Sequence, residues 1–362
     1  YTGGTTGKSK GVVISNGAAN SVAFQYITAT SVLDIHPGQR FLDILPPFLA
    51  YGVFFGVHTP LCNCLENVLV PDPSPRNFPH VLMKYKAQHF TGGPLHLNKL
   101  VEYVQSRRVD LSFVRTAAFG GDGMSEEWKT AMTAFLKTHG AKNGIVTGYG
   151  MTETAGTFCT STCQSKQMIP FVRNNIKVRD IDTEQELFCQ QEGEICVSGP
   201  SLMTMYLNHP KGTNDAMWIE NQVRWLRTGD LGYVSKDGHL IITGRIKRIL
   251  WTASGDVVYR VYPIAIEKVI SSHASVKQSA DVGKPDGERG YLVVAYVVPH
   301  GSNTPQIMNE LTELCRKELP ETSWPAEYRF VWQLPTTPAG KVDFRALERM
   351  AVETQHCTQD NR

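Results

Sequence analysis

The sequence lacks an apolar stretch able to cross a bilayer. Its longest, Phe41 to Val57, is broken by Asp43 and by Pro46-Pro47, whereas a spanning helix needs about 20 consecutive apolar residues. It also lacks a strong charge of either sign. Lys and Arg total 36 against 34 Asp and Glu, a net of +2, which argues against nucleic acid or an acidic membrane surface as the main partner. The cysteines show no Cys-x-x-Cys spacing, and neither Cys62/Cys64 nor Cys159/Cys163 has a His cluster to complete a zinc site. A chain of 362 residues has no need of a disulfide framework, so reduced thiols and a cytoplasmic location are expected. Internal repeats, low-complexity tracts and a readable Ser/His/Asp constellation are absent. There is no initiator Met and no signal-like segment. The chain opens at Tyr1 inside a glycine-rich loop, and the expectation is a fragment that begins at that loop.

With 41% apolar residues, the chain can bury one large domain and one small one. Short β-type runs, Gly11 to Ser15, Phe41 to Leu45, Val68 to Pro71, Ala87 to Thr91, Val114 to Ala118 and Ile145 to Thr147, alternate with helical patterns at residues 16–32, 77–85, 95–104 and from Ser125. This alternation predicts a layered α/β large domain. Beyond residue 190 the texture turns to short β runs, Gly193 to Ser198 and Gly232 to Thr243, the second folding over Ser235-Lys236-Asp237-Gly238 as a hairpin. The last hundred residues read as helix, strand, strand, helix, strand, a small α+β domain. The expected boundaries are 1–244 for the large domain, 245–248 for a hinge, 249–353 for the small domain and 354–362 for a polar tail.

The opening segment Tyr1-Thr2-Gly3-Gly4-Thr5-Thr6-Gly7-Lys8-Ser9-Lys10-Gly11 interleaves glycines, hydroxyls and lysines. That suits a loop wrapping a polyphosphate, with backbone N–H, hydroxyl and ammonium groups meeting the charge. Gly7-Lys8-Ser9 matches the end of a Walker-type loop, but Thr2 stands where that pattern needs Gly, and a strand rather than a helix follows. Further along come Gly148-Tyr149-Gly150-Met151-Thr152-Glu153, then Arg227-Thr228-Gly229-Asp230, then Gly244-Arg245-Ile246-Lys247-Arg248, and finally Leu334-Pro335-Thr336-Thr337-Pro338-Ala339-Gly340-Lys341. In this order the five segments resemble the signatures of the adenylate-forming, AMP-binding superfamily, of the acyl-CoA synthetase type.

The resemblance implies a role for each segment. Thr2, Gly3, Gly4, Thr5, Thr6, Gly7 and Lys10 belong to the phosphate loop. Tyr149 packs on adenine beside Gly148, Gly150 and Met151, Thr152 reaches the α-phosphate, and Glu153 holds Mg²⁺, a hard cation that leaves its other positions to phosphate and water. Asp230 accepts from the ribose hydroxyls, as an acceptor-only carboxylate can. Arg245 contacts the nucleotide and Lys247 is the hinge. Lys341 is the catalytic lysine, an ammonium bridging the two anions that adenylation brings together. Gly120, Gly121 and Asp122 form a strand end under the adenine.

The implied reaction uses ATP, Mg²⁺ and CoA to convert a carboxylic acid to acyl-adenylate and then to a thioester. Leu45 to Gly52 aligns with the acyl-pocket motif, and Phe48, Tyr51 and Gly52 offer an apolar wall where amino-acid-activating relatives place an Asp. A fatty or aromatic acid is therefore expected. Leu49 replaces a common His, and Gly255 to Glu267 is longer than the family's pattern, with Ala265 in place of its first Glu. Transfer to a carrier protein, or a catalytically weak nucleotide-binding role, stays open beside CoA transfer.

Overall fold

The computed structural model describes residues 1–2, 9–28, 34–70, 72, 74–105, 107–120, 126–161, 167–254, 257–301, 304–337 and 341–353. Gly3, Gly4, Thr5, Thr6, Gly7, Gly121 and Asp122 lie outside them, as do Cys163, residues 338–340 and the tail. The described residues divide into two units, 1–228 with 232–241, and 229–231 with 242–353.

The first unit begins with β1 (Val12–Val13) and α1 (Asn16–Thr28), followed by β2 (Arg40–Asp43). A π-helical segment (Tyr51–His58) runs into α2 (Thr59–Cys62), and then come β3 (Glu66–Leu69), α3 (Phe78–Tyr85), β4 (His89–Gly92) and α4 (Pro94–Gln105). β5 (Thr116–Gly120), α5 (Glu126–Thr138), β6 (Ile145–Met151), a 3₁₀ turn (Thr152–Thr154), β7 (Gly156–Thr160) and β8 (Ile169–Pro170) complete a seven-stranded sheet of order β3-β2-β4-β5-β6-β7-β8. The first five strands in that order run parallel, while β7 and β8 are antiparallel.

Alternation along the strands explains the layering. Leu42, Phe119 and Ile145 point to one face, where Phe78 and Leu82 of α3, Leu97 and Leu100 of α4 and Leu136 of α5 complete a core. Their neighbours Phe41, Ala118 and Val146 point to the other, against Tyr26 of α1 and Phe55 of the π-helical segment. With helices on both faces, the open surface of the sheet is the rim at its strand ends.

The chain then forms β9 (Asn175–Arg179), β10 (Gly193–Ser198), β11 (Met205–Tyr206), α6 (Pro210–Ala216), β12 (Met217–Glu220), β13 (Val223–Val234) and β14 (Leu240–Arg245). β11 pairs with β1 in a two-stranded ribbon, and β12-β13-β10-β9 form a second sheet with β14 beside β13, in which β12/β13 and β10/β9 are antiparallel. Trp218 and Trp225 stack across β12 and β13, and the Lys177 ammonium lies 4.3 Å from the Trp225 ring centre and pairs with Glu220, so this buried lysine is fully compensated.

After a 3₁₀ turn (Ile246–Arg248), the second unit contains β15 (Leu250–Ser254), β16 (Val257–Val261), α7 (Pro263–Ser271), β17 (Val276–Asp286), β18 (Gly290–Pro299), α8 (Thr304–Glu318), β19 (Glu327–Phe330) and α9 (Phe344–Val352). The sheet order is β16-β15-β18-β17, with β19 parallel to β18. α7 and α8 cover one face and α9 the other.

Three details differ from the sequence reading. Pro46-Pro47, read from sequence only as a break in an apolar stretch, leads into a π-helix. The segment after the hinge is a β-hairpin, with Ser254 opposite Val257, where a long loop was expected. α9 was not anticipated, although Asp343 caps it by accepting from Ala346 N at 3.0 Å.

Candidate active site

In the parallel part of the sheet, Asp43, Gly92, Gly120 and the run Gly148–Met151 sit at the carboxyl ends of adjacent strands, where open α/β sheets bind ligands. Gly120 pairs with Gly148, and a Cβ on Gly120 would lie 3.2 Å from the Gly148 carbonyl and 3.5 Å from the Tyr51 ring. Tyr51 is stacked on Phe55 with ring centres 4.9 Å apart, and its hydroxyl accepts from Thr91 Oγ1 at 2.9 Å. Burial pushes this phenol well above its ordinary range, so it stays neutral. Gly52 is required for a local reason, since a Cβ there would come within 2.1 Å of the Pro46 carbonyl. Of the pocket residues proposed from sequence, Tyr51 and Gly52 are built into this rim, while Phe48 is 67% exposed.

Asp43 carries a consequence that the sequence reading missed. It is buried beneath the π-helical segment, a Cβ on Gly56 would lie 2.5 Å from its carboxylate, and Leu45 N donates to Oδ1 at 2.9 Å. Burial pushes its carboxyl up to about 6. Between about pH 4 and pH 6 the folded chain therefore keeps a proton that the unfolded chain has released, so stability falls as pH rises through this window and stays lower above it. The change is at most about 3 kcal/mol. Asp43→Asn should flatten that slope in denaturant midpoints measured from pH 4 to 7.5. An unaltered slope would acquit Asp43.

Beyond β6, Thr154 Oγ1 accepts from Met151 N at 3.1 Å and donates to Met151 O at 3.0 Å, closing the 3₁₀ turn that presents Thr152 and Glu153. Glu153 is buried, its Oε1 accepts from the Tyr206 hydroxyl at 2.6 Å, and its backbone carbonyl accepts from Met203 N at 2.7 Å. Tyr206 is brought there by the ribbon, in which it pairs with Val12, and the Lys10 ammonium lies 4.3 Å from its ring centre. At the neck of the opening loop, Thr2 N donates to Lys10 O at 2.9 Å and Lys10 N to Thr2 Oγ1 at 3.0 Å. The structure thus gathers Thr2, Lys10 and Glu153, with Tyr206 as a member that no local pattern announced.

In the second unit, buried Asp230 follows Gly229, whose φ of +70° needs glycine, and pairs with Arg245 Nε at 2.7 Å. Lys247 is exposed. The next residue, Arg248, pairs with Glu267, donates to Asp281 O at 3.1 Å and lies 3.7 Å from the Phe344 ring centre. Phe344 opens α9 three residues after Lys341, so the turn rests on the helix that follows Lys341. That loop is closed at its neck by Thr337 N donating to Lys341 O at 2.7 Å and Asp343 N to Pro335 O at 2.8 Å.

Among the described residues there is no group of three or more His, Cys, Asp and Glu that could hold a metal, and no helix is long and apolar enough to cross a membrane. Glu153 alone fits a cation that arrives with phosphate ligands rather than one held by a protein cage.

These features define a mixed α/β protein, with a larger N-terminal and a smaller C-terminal domain. The AMP-binding enzyme model matches residues 1–207 and the AMP-binding enzyme C-terminal domain matches residues 265–341. The chain belongs to the AMP-binding enzyme family. It is 29% identical over 98% of its length to a long-chain-fatty-acid–CoA ligase of Bacillus subtilis, and 30% identical over 99% to 4-coumarate–CoA ligase 1 of Oryza sativa. It spans 62% and 63% of those two proteins. Among solved structures, o-succinylbenzoate CoA synthetase of Bacillus subtilis with its acyl-adenylate intermediate superposes with a TM-score of 0.79 at 25% identity, covering all of this chain and 68% of that one.

Proposed function

We propose that the whole protein carrying this chain activates an apolar carboxylic acid with ATP and passes the acyl group to CoA. The observation that carries this reading is the Gly148–Glu153 run at the carboxyl end of β6, with buried Glu153 beside Tyr206 and Lys10 of the opening loop. A carboxylate oxygen attacks the α-phosphorus, the bond to the bridging oxygen breaks and pyrophosphate leaves. The CoA thiol then attacks the acyl carbon, the carbon–oxygen bond to AMP breaks, and the thiol proton passes to solvent.

Glu153 would hold Mg²⁺, which when bound neutralises phosphate charge. Thr2, Lys10, Thr152 and the backbone of the opening loop bind the phosphates, and Gly120 and Tyr149 bound the adenine. Asp230, held by Arg245, accepts from the ribose. Lys341 stabilises the charge that accumulates as the two anions meet. Lys247 serves as the hinge between residues 1–244 and 249–353. Phe48, Tyr51 and Gly52 face the acid, and the neutral Tyr51–Thr91 pair offers an ammonium no counter-ion, which favours fatty or aromatic acids over amino acids. A carrier-protein thiol is the alternative acceptor, which the test below distinguishes. A cytoplasmic location fits this substrate set.

The test is acid-dependent exchange of pyrophosphate into ATP across fatty, aryl and amino acids, followed by thiol capture with CoA or with a phosphopantetheinyl protein. Exchange with an apolar acid and capture by CoA is expected. No exchange with any acid would overturn the reading.

A further inference from the structure

Tyr206 belongs to none of the segments assigned to the nucleotide, yet it touches two of them. Its hydroxyl donates to Glu153 Oε1 at 2.6 Å and its ring lies under the Lys10 ammonium, 4.3 Å from the ring centre. The side chain is buried, and its backbone is fixed twice, by pairing with Val12 and by Tyr206 N donating to Thr213 Oγ1 at 2.9 Å.

We propose that Tyr206 is a positioning residue for the metal–nucleotide complex: it holds Oε1 of Glu153, leaves Oε2 for the cation, and seats Lys10 at the base of the phosphate loop. This rests on the nucleotide reading given above. A carboxylate with one oxygen tied meets a small cation through the other alone, which suits an ion that keeps most of its positions for water and phosphate. Without the phenol, Glu153 would be a buried charge lacking its fixed donor, free to rotate away from the cation.

The test measures nucleotide binding rather than turnover. Calorimetric ATP affinity is compared with Mg²⁺ present and with the metal chelated, in the wild type, Tyr206→Phe, Glu153→Gln and the double variant. Tyr206→Phe keeps the ring for Lys10 and removes only the hydroxyl. It should lose about tenfold of the Mg²⁺-dependent gain in affinity while binding metal-free ATP as the wild type does. In the Glu153→Gln background the same change should add nothing. A merely structural tyrosine would weaken both conditions alike or lower the melting temperature, and that pattern would overturn the proposal, as would a Mg²⁺ gain kept intact in Tyr206→Phe. A wild-type protein whose ATP affinity ignores Mg²⁺ would overturn the nucleotide reading of Glu153 and this role with it.

Discussion

Lys341→Ala is expected to lower acid-dependent pyrophosphate exchange by at least about a hundredfold. The side chain is exposed, so the substitution removes an ammonium without opening a core. The described residues on either side of it in sequence are tied together. Thr336 bridges to Val342 across the loop, Thr337 N donates to Lys341 O, and Asp343 caps the helix that follows. Ties of this kind reduce the ordering left to the reaction itself. Charge accumulates when carboxylate and α-phosphate meet, but a thiol attacking an already formed acyl-adenylate brings no second anion. Lys341→Ala should therefore still transfer the acyl group from a synthetic acyl-adenylate to CoA at a rate within a few fold of wild type. Full exchange activity in the variant would remove Lys341 from the chemistry. Loss of both half-reactions would make its role structural.

Gly150→Ala is expected to cost about 3 kcal/mol or more of stability. A Cβ at Gly150 would fall 1.7 Å from the Gly156 carbonyl oxygen and 2.9 Å from Thr157 Cα. No side chain can rotate away there, because both obstacles are backbone. The register of β6 and β7 shifts between Tyr149 and Gly150, so the two strands approach closely where the chain leaves β6 for the Glu153 turn. Gly156 has little room to yield: its φ is +101° and its carbonyl also accepts from Thr154 Oγ1 at 3.2 Å. Relief would have to come from parting the strands, which displaces Thr152 and Glu153. Denaturant midpoints and nucleotide affinity should fall together, and an Ala variant as stable as wild type would exclude this account.

The same geometry explains why part of the site could be read from sequence. Gly150 and Gly52 are glycines because the backbone leaves no space, and such constraints write themselves into short contiguous runs. The layered α/β class was legible for a related reason, since Phe41/Leu42 and Ala118/Phe119 alternate between two helix-covered faces. Tyr206 was not legible. Met205-Tyr206-Leu207 has no local pattern, and its importance comes from partners at positions 10, 12 and 153. Asp43 was noticed only as an interruption in an apolar stretch, because nothing near it in sequence shows that Gly56 covers its carboxylate. The hairpin of β15 and β16 passed for a loop because Val257, Val258 and Tyr259 are all exposed, which erases the alternation of a half-buried strand. Gly-Asp between the two apolar runs was the available signal.

The ribbon of β1 and β11 has a consequence for the order in which the molecule assembles. Val12 finds its partner only at Tyr206, nearly two hundred positions on. A contact of that sequence separation closes a very long loop and is entropically slow to form. On a ribosome, the Thr2–Lys10 segment cannot be joined to Glu153 through Tyr206 until every strand of the seven-stranded sheet has emerged. The pairing should then be a late event, with low φ-values for Val12 and Tyr206 against higher ones for Phe90 and Phe119 in the parallel sheet. Val12, made long before Tyr206, would be among the last of the described residues to find its place.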